Sequence, residues 1–232
     1  MLGLSNISVS ASGTLRVLAA LLSYPDARVR GHLPEMRAIL RGERALTASR
    51  LTELEGLIEV LANADALDTE AGYVELFDRG RTTSLHLFEH VHGDSRDRGP
   101  AMIDLTQTYE KAGLYLAPGE LPDYLPAVLE FVSTQPAREA RAFLGEMAHI
   151  LNALFNALRS RDSAYASVLG ALLEMAGETA QTVTLAAEQS MDESWVEPPV
   201  FDGCSSIGQA RPDQPRPIHI VRRVNTAQGA SS

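Results

Sequence analysis

The chain of 232 residues has only one cysteine, Cys204, so it cannot form an internal disulfide bond. This excludes a small disulfide-stapled secreted domain and favours a reducing compartment. The chain also has no cluster of basic residues, and its formal net charge is −10. Because nucleic-acid phosphates require a positive protein face, we do not expect a nucleic-acid partner.

Long apolar runs are missing as well. The apolar run at 15–22 is too short to span a bilayer, and Arg16 interrupts it. It also lacks the preceding basic region of a secretory signal peptide. These features predict a soluble cytoplasmic protein with no direct insertion into membranes.

Alternating β-type patterns are absent before "PIHIVRRV" at 217–224, and apolar residues instead recur at helical spacing. The sequence therefore predicts an all-α protein, a compact helical bundle over residues 1–189. Asp68 is a candidate helix cap, and Pro122 a candidate first-turn residue. The predicted helices cover 14–23, 27–41, 48–63, 68–78, 100–116, 121–133, 136–160 and 163–188.

The composition changes near Ser190, and five of the twelve prolines lie beyond it, among Ser, Gly and Gln. Such a segment buries too little apolar surface to offset the entropy cost of ordering, so we expect residues 190–232 to be a disordered tail. Within it, "WVEPPVFDG" contains Trp195 and Phe201. This stretch is either a linker with two aromatic residues or a motif that docks a partner.

A histidine-rich segment, "SLHLFEHVHGDSRDRG" at 84–99, contains the H-x-x-E-H pattern of inverted zinc peptidases at His86, Glu89 and His90. On a helix the two histidines would share one face. A catalytic zinc site also needs a third ligand and an open position for water, and no second motif supplies that ligand. A zinc-dependent peptidase therefore remains only the alternative interpretation, and we expect no bound metal.

The segment 73–126 contains "LFDRGRTTSLHLFEHVHGDSRDRG" and ends in "ELPDYLP". It closely resembles the signature region of the NarJ/NarW family of respiratory nitrate reductase assembly chaperones. "LLSYPD" at 21–26 is similar to the family's opening helix and turn. The resemblance covers most of residues 15–160. It departs from the family at Tyr124, where histidine is usual, although tyrosine can still donate a hydrogen bond.

This resemblance implies a helical chaperone that is not an enzyme and binds no cofactor itself. Its partner would be the catalytic (alpha) subunit of a membrane-bound nitrate reductase, held at its N-terminal segment in the cytoplasm. The chaperone would keep this apo subunit open for insertion of iron–sulfur clusters and the molybdenum cofactor, before it docks at the membrane. Whether the chaperone self-associates is left open.

The resemblance also directs attention to two sets of residues. Tyr73, Leu76 and Phe77 recur at helical spacing, which is typical of a peptide groove and equally of plain core. We expect the client peptide to bind as an amphipathic helix in a groove formed from Tyr73, Leu76, Phe77, Phe88, Glu120, Leu121, Asp123, Tyr124 and Leu125. A signature polar loop would contain Arg79, Arg81, Glu89, His90, His92, Asp94, Arg96, Asp97 and Arg98, with Asp–Arg pairs pinning the loop.

The first prediction concerns the tail. A chain shortened before Ser190 should keep its helical circular dichroism signal and its binding of the client's N-terminal peptide, because the continuous apolar periodicity lies before that point. Loss of the far-ultraviolet helical signal would mean that the tail belongs to the core.

Overall fold

The computed structural model describes residues 11–93 and 95–181, and this part of the chain is built from eleven α-helices. One π-turn (Val74–Asp78) and one 3-10 turn (Arg81–Thr83) interrupt them. The predicted all-α fold is confirmed, whereas the predicted domain boundary and tail lie outside the described residues. The helices are α1 (Ser12–Leu22), α2 (Ala27–Gly31), α3 (Leu33–Glu43), α4 (Ala48–Asn63), α5 (Ala66–Tyr73), α6 (Leu87–Val91), α7 (Arg98–Lys111), α8 (Leu125–Ser133), α9 (Ala137–Glu146), α10 (Ala148–Arg159) and α11 (Ala166–Ala176).

Helices α1 and α11 form the centre of the bundle. α1 packs against α8 and α3, α11 packs against α9, α10 and α4, and the two also contact each other. Leu18 and Leu22 of α1, like Val168 and Leu172 of α11, are completely buried. A helix that is apolar on most of its surface is stable in water only when neighbours cover it, so these two sequences require central positions.

Carboxylates from other helices satisfy two helix N-termini. Glu43, at the end of α3, accepts hydrogen bonds from the backbone N–H of Gly13 at 2.9 Å and of Thr14 at 2.6 Å. Glu174 of α11 accepts from the backbone N–H and the hydroxyl of Thr47, the N-cap residue of α4. The first N–H groups of a helix lack partners within the helix, so each carboxylate both satisfies donors and faces the positive end of the dipole.

Arginine side chains donate hydrogen bonds to backbone carbonyl groups at two helix C-termini. Arg30 donates to the carbonyl oxygens of Leu61 at 3.1 Å and Ala64 at 2.6 Å, where α4 ends. Arg141 donates to the carbonyl oxygen of Ala176, the last residue of α11. These contacts tie the helix ends to neighbouring helices as well as satisfying free carbonyls.

The predicted helix at 48–63 is confirmed as α4. The predicted cap at Asp68 is wrong, because Asp65 caps α5 by accepting hydrogen bonds from the N–H groups of Leu67 and Asp68. Asp65 precedes α5 in extended geometry, as an N-cap requires.

Two predicted long helices are interrupted. The predicted helix at 27–41 breaks at His32, so that Pro34 falls in the first turn of α3, where its missing N–H is not needed. The predicted helix at 136–160 breaks at Met147, next to Gly145, whose helix propensity is about 1 kcal/mol poorer than that of alanine. Both α9 and α10 pack against α11.

The predicted helix at 121–133 starts later, at Leu125, and Pro122 lies in a turn before it. The residues ahead of α8 pair with the segment before α6 through an isolated antiparallel bridge between His86 and Tyr124. Leu125 N–H donates to the Leu85 carbonyl at 2.8 Å, and Leu87 N–H donates to the Asp123 carbonyl at 3.0 Å. Backbone hydrogen bonds between these two distant segments thus take the place of the first helical turn that the local sequence predicts.

The predicted last helix ends at Ala176, with Gly177 in left-handed geometry at φ 84° as its C-cap. The rest of this predicted helix, beyond residue 181, lies outside the described residues. No helix among residues 11–93 and 95–181 combines the length and hydrophobicity needed to cross a membrane.

Replacing Glu43 by alanine should lower the free energy of unfolding by about 1–2 kcal/mol, because three donors at the start of α1 lose their acceptor. Urea titration followed by circular dichroism measures this change. Glu59→Ala, at an exposed position of α4, is the matched control and should change stability far less. Equal effects of the two substitutions would contradict the capping role.

Candidate functional site

A cleft of about 400 Å³ opens beside the end of α5 and the segment that leads into α8. We call it the aromatic cleft. Its lining residues are Tyr24, Tyr73, Phe77, Asp78, Leu85, His86, Gly119, Glu120, Leu121 and Tyr124.

Aromatic rings in edge-on and tilted contact form the floor of this cleft. The centroid of the Tyr73 ring lies 4.8 Å from that of Phe77 and 5.6 Å from that of Tyr24. Phe77 packs in turn edge-on against Tyr165, at 5.1 Å. Tyr73 and Phe77 are each only 4% exposed, so they hold the core together as well as lining the cleft. Edge-on and tilted aromatic pairs of this kind contribute about 0.5–1.5 kcal/mol each beyond area burial.

The tyrosine hydroxyls of the floor are hydrogen-bonded to one another and to backbone. The Tyr73 hydroxyl donates to the Leu22 carbonyl at 2.8 Å and lies 3.0 Å from the Tyr124 hydroxyl. Burial raises the pKa of Tyr73 far above its usual range, and it also raises the pKa of Tyr124. The floor therefore stays uncharged, and it offers apolar ring surface together with one hydroxyl pair.

Gly80 shapes the turn that leads away from the floor. A Cβ on Gly80 would lie 2.6 Å from the Leu76 carbonyl oxygen and 2.2 Å from the Thr83 hydroxyl. The Thr83 hydroxyl itself donates to that same Leu76 carbonyl. Only glycine fits beside these two oxygen atoms, because a Cβ would collide with both of them. This explains why a glycine lies between Phe77 and the 3-10 turn.

The buried side chain of Asp123 holds the wall of the cleft in place. Its side chain is fully buried, and its carboxylate lies 3.3 Å from His86 Nδ1 and accepts a hydrogen bond from the Phe88 N–H at 3.1 Å. Arg98 Nη2, at the start of α7, lies 3.8 Å away. One buried carboxylate thus joins the segment before α8 to α6 and α7, and a buried charge needs such partners.

His86 lies on the cleft wall in front of this carboxylate. Its ring lies 5.4 Å from the Tyr124 ring, in a tilted arrangement. The hydrogen bond to Asp123 raises the pKa of His86, with smaller upward contributions from the charges of Asp123 and Glu89. Burial and the positive charge of Arg98 act in the opposite direction.

The helical face assumed for the H-x-x-E-H pattern does not form. His86 precedes α6 in extended geometry, and His90 Nε2 lies 2.8 Å from the Ser84 carbonyl, so each histidine ring has its own separate partner. Glu89 lies 3.6 Å from Arg98. Across the described ranges, no group of three His, Cys, Asp or Glu side chains could hold a metal ion.

Several members of the predicted polar loop have separate partners among the described residues. Arg98 turns inward to Glu89 and Asp123, whereas Arg79 pairs with Glu75 at 2.9 Å on the exposed surface. Asp97 interacts locally with Ser95. Of the remaining predicted members, Arg81 begins the 3-10 turn, the His92 ring packs edge-on against Phe88, Arg96 is exposed, and Asp94 lies outside the described residues.

Five of the nine predicted groove residues line the aromatic cleft: Tyr73, Phe77, Glu120, Leu121 and Tyr124. The other four, Leu76, Phe88, Asp123 and Leu125, do not line it. Asp123 and Leu125 are fully buried behind the wall, and Leu76 packs against the core.

Five residues that line the cleft were not among the predicted groove residues: Tyr24, Asp78, Leu85, His86 and Gly119. Tyr24 carried a signal, because it stands in the "LLSYPD" stretch, where a tyrosine ends an apolar helix just before a proline. Asp78 directly follows Phe77, but nothing in local spacing indicated that its side chain would face the same cleft.

The family model described as "Nitrate reductase delta subunit" matches residues 43–171 of the chain. The nitrate reductase molybdenum cofactor assembly chaperone NarJ of Escherichia coli K12 is 44% identical over 180 residues, which cover 78% of this chain and 76% of that protein. The chain belongs to the NarJ/NarW family. The family predicted from residues 73–126 is therefore confirmed.

Other relatives agree. A protein of E. coli K12 named as a probable assembly chaperone, NarW, is 41% identical over 77% of this chain and 74% of its own length. A probable NarJ of Bacillus subtilis strain 168 is 33% identical over 69% of this chain and 86% of its length.

One solved structure supports the fold. A candidate redox enzyme maturation protein of Archaeoglobus fulgidus matches with a TM-score of 0.53 over 72% of this chain and 94% of that one. At 20% sequence identity, this likeness concerns the fold alone.

The raised pKa of His86 predicts a pH dependence of stability. Its pKa in the folded chain lies above the ordinary value of 6.5, so protonated His86 stabilises the fold below that pH, and the stabilisation is lost as the pH rises through the raised pKa. The difference in free energy of unfolding between the wild type and His86→Gln should therefore shrink with rising pH. Denaturant titrations at several pH values measure it. A difference that stays constant, or grows with pH, would contradict the His86–Asp123 interaction.

Proposed function

We propose that this protein is a dedicated assembly chaperone for a membrane-bound respiratory nitrate reductase. It binds the apo catalytic subunit in the cytoplasm, at the N-terminal segment of that subunit. Membership of the NarJ/NarW family supports this proposal, because the relatives are named as chaperones of molybdenum cofactor assembly in nitrate reductase. As a member of this chaperone family, the chain is a binding protein rather than a catalyst.

The aromatic cleft is the observation that carries the binding role. It exposes part of Leu121 and Tyr24, which are 44% and 43% exposed, above a floor of buried rings. Partly exposed apolar side chains around a preformed cleft are typical of a site for the apolar face of a helical peptide. Asp78 and Glu120 at the edge of the cleft suit basic residues of that peptide.

The proposed role in cofactor insertion follows from binding of the catalytic subunit. The chaperone keeps the catalytic subunit open while iron–sulfur clusters and the molybdenum cofactor are inserted, and it delays docking at the membrane. In this proposal the chaperone itself binds neither the cofactor nor the clusters. The peptidase alternative requires both histidines at one metal, and their separate hydrogen bonds to Asp123 and Ser84 do not favour it.

Leu121→Ala should weaken binding of a labelled peptide, taken from the N-terminus of the catalytic subunit of the same organism's nitrate reductase. Removal of this side chain from the peptide contact should cost about 1 kcal/mol, which corresponds to roughly fivefold faster dissociation. Stopped-flow anisotropy measures both rate constants. Higher salt should mainly slow association, because charge steers the encounter more than it holds the complex.

Leu67→Ala provides the matched control, since Leu67 is 76% exposed on α5 and lines no part of the cleft. Both leucines are exposed enough for truncation to leave the fold intact. By contrast, Phe77→Ala would remove a core ring at a folding cost of about 3–5 kcal/mol. Unchanged kinetics for Leu121→Ala and Tyr124→Ala in folded protein would place the client site elsewhere.

A further inference from the structure

A second cleft, of about 500 Å³, opens beside Glu70, which accepts a hydrogen bond from the Tyr24 hydroxyl. We call it the arginine cleft, after Arg30 and Arg37. Both clefts have volumes within the range of about 300–1,000 Å³ that is typical of ligand sites. The lining residues of the arginine cleft are Ala27, Arg30, Gly31, Leu33, Pro34, Arg37, Ile58, Ala62, Ala66 and Glu70.

The two clefts are successive compartments of one groove along α5. Ala66 and Glu70 line the arginine cleft, and Tyr73 and Phe77 line the aromatic cleft. The spacing of four and three residues puts Ala66, Glu70 and Tyr73 on one face of α5, and the π-turn that continues the helix carries Phe77. The Tyr24 hydroxyl donates to Glu70 Oε2 at 3.0 Å, so a lining residue of the aromatic cleft contacts a lining residue of the arginine cleft.

This shared face sets the size of an occupant. From Ala66 to Phe77 a helical chain advances by about 16 Å, which is about three turns. An occupant that fills both compartments is therefore a helix of roughly eleven residues laid alongside α5.

The two compartments have opposite polarity. Asp78 and Glu120 are carboxylates of the aromatic cleft, whose lining residues include no lysine or arginine. Burial is the main cause of the raised pKa of Tyr124, and the negative charges of Asp78 and Glu120 add to it. In the arginine cleft, by contrast, two arginines outnumber the one carboxylate, Glu70.

Arg37 lines this compartment, and its side chain has no ion-pair partner among the described residues. Its Nε is buried and has no hydrogen-bond partner among the described residues. Arg30, the neighbouring cation, already donates to the carbonyl oxygens at the end of α4. The nearby carboxylate of Glu55 is engaged by Arg41 Nε at 2.5 Å. The guanidinium of Arg37 therefore lines the cleft without a carboxylate partner among the described residues, and an occupant that supplies an acceptor to it gains a charge-assisted hydrogen bond.

Contacts within the bundle indicate which end of a bound helix each compartment would favour. Its helix N-termini at α1 and α4 are met by the carboxylates of Glu43 and Glu174. Its helix C-termini at α4 and α11 are met by Arg30 and Arg141. Carboxylates at one end of the groove and an unused arginine donor at the other repeat this arrangement for a helix that is not part of the chain.

We propose that the client helix lies antiparallel to α5, with its N-terminal end in the aromatic cleft beside Asp78 and Glu120 and its C-terminal end over Arg37. The inference rests on the proposed chaperone function and adds the orientation of the client and a second contact region. It also specifies the client segment: basic residues near its N-terminal end, and an acidic side chain or free backbone carbonyls about three turns later. The opposed dipoles of α5 and the client helix then attract each other.

Photo-crosslinking tests the orientation with the full chain. Two versions of the client's N-terminal 20-residue peptide carry a benzophenone, one near the N-terminus and the other about three turns later. We expect the first probe to attach near Leu121 and the second near Pro34, as located by mass spectrometry of the digested complex. The reverse pattern, or attachment of the second probe away from the arginine cleft, would overturn the inference.

Substitution of Arg37 tests the second compartment. Arg37→Gln should weaken peptide binding about tenfold, as expected for loss of a hydrogen bond to a charged donor. Arg138→Gln is the matched control, because it makes the same charge change at an exposed position of α9 that lines neither cleft. Circular dichroism checks that both variants are folded.

The outcomes separate this inference from the proposed function. If Leu121→Ala weakens binding while Arg37→Gln and Arg138→Gln bind like the wild type, the aromatic cleft is the client site and the extended groove is wrong. If the wild type binds no client peptide at all, the proposed function fails and the inference fails with it.

Discussion

The buried carboxylate of Asp123 is the interaction on which this part of the molecule depends. A fully buried carboxylate is stable only when donors surround it, and these come from two separate segments: His86 and the Phe88 backbone at the start of α6, and Arg98 at the start of α7. Removing one partner of such a set typically costs about 3–5 kcal/mol, since the other remains buried and unpaired. Asp123 therefore fixes where α6, α7 and the start of α8 meet.

The aromatic cleft is a consequence of this attachment. The backbone pairing of residues 85–87 with residues 123–125 places His86 and Tyr124 side by side on one wall. The opposite side is formed by Tyr73 of α5 and Phe77 of the following π-turn, whose rings reach into the core. The cleft wall is thus attached to a buried carboxylate, and its floor is made of core aromatic rings.

Four charged side chains of the described residues contact helix ends. Glu43, Glu174, Arg30 and Arg141 each contact backbone groups of another helix, whereas the Arg79–Glu75 pair is exposed at both ends and contributes little to stability. The same chemistry gives the groove along α5 its polarity. An all-helical binding protein can thus orient a helical partner with the interactions that it uses to assemble itself.

The sequence by itself determined the all-α class, the span of α4, the family and five of the cleft residues, because apolar periodicity and local motifs are properties of neighbouring residues. It did not determine the environment of His86, which local spacing placed on a helix with His90. Tertiary structure decided that His86 is extended, because backbone pairing with the segment before α8 competes with the first helical turn there. The same holds for Tyr24, Asp78 and Arg37: their roles depend on which helices become neighbours, and residues distant along the chain decide that.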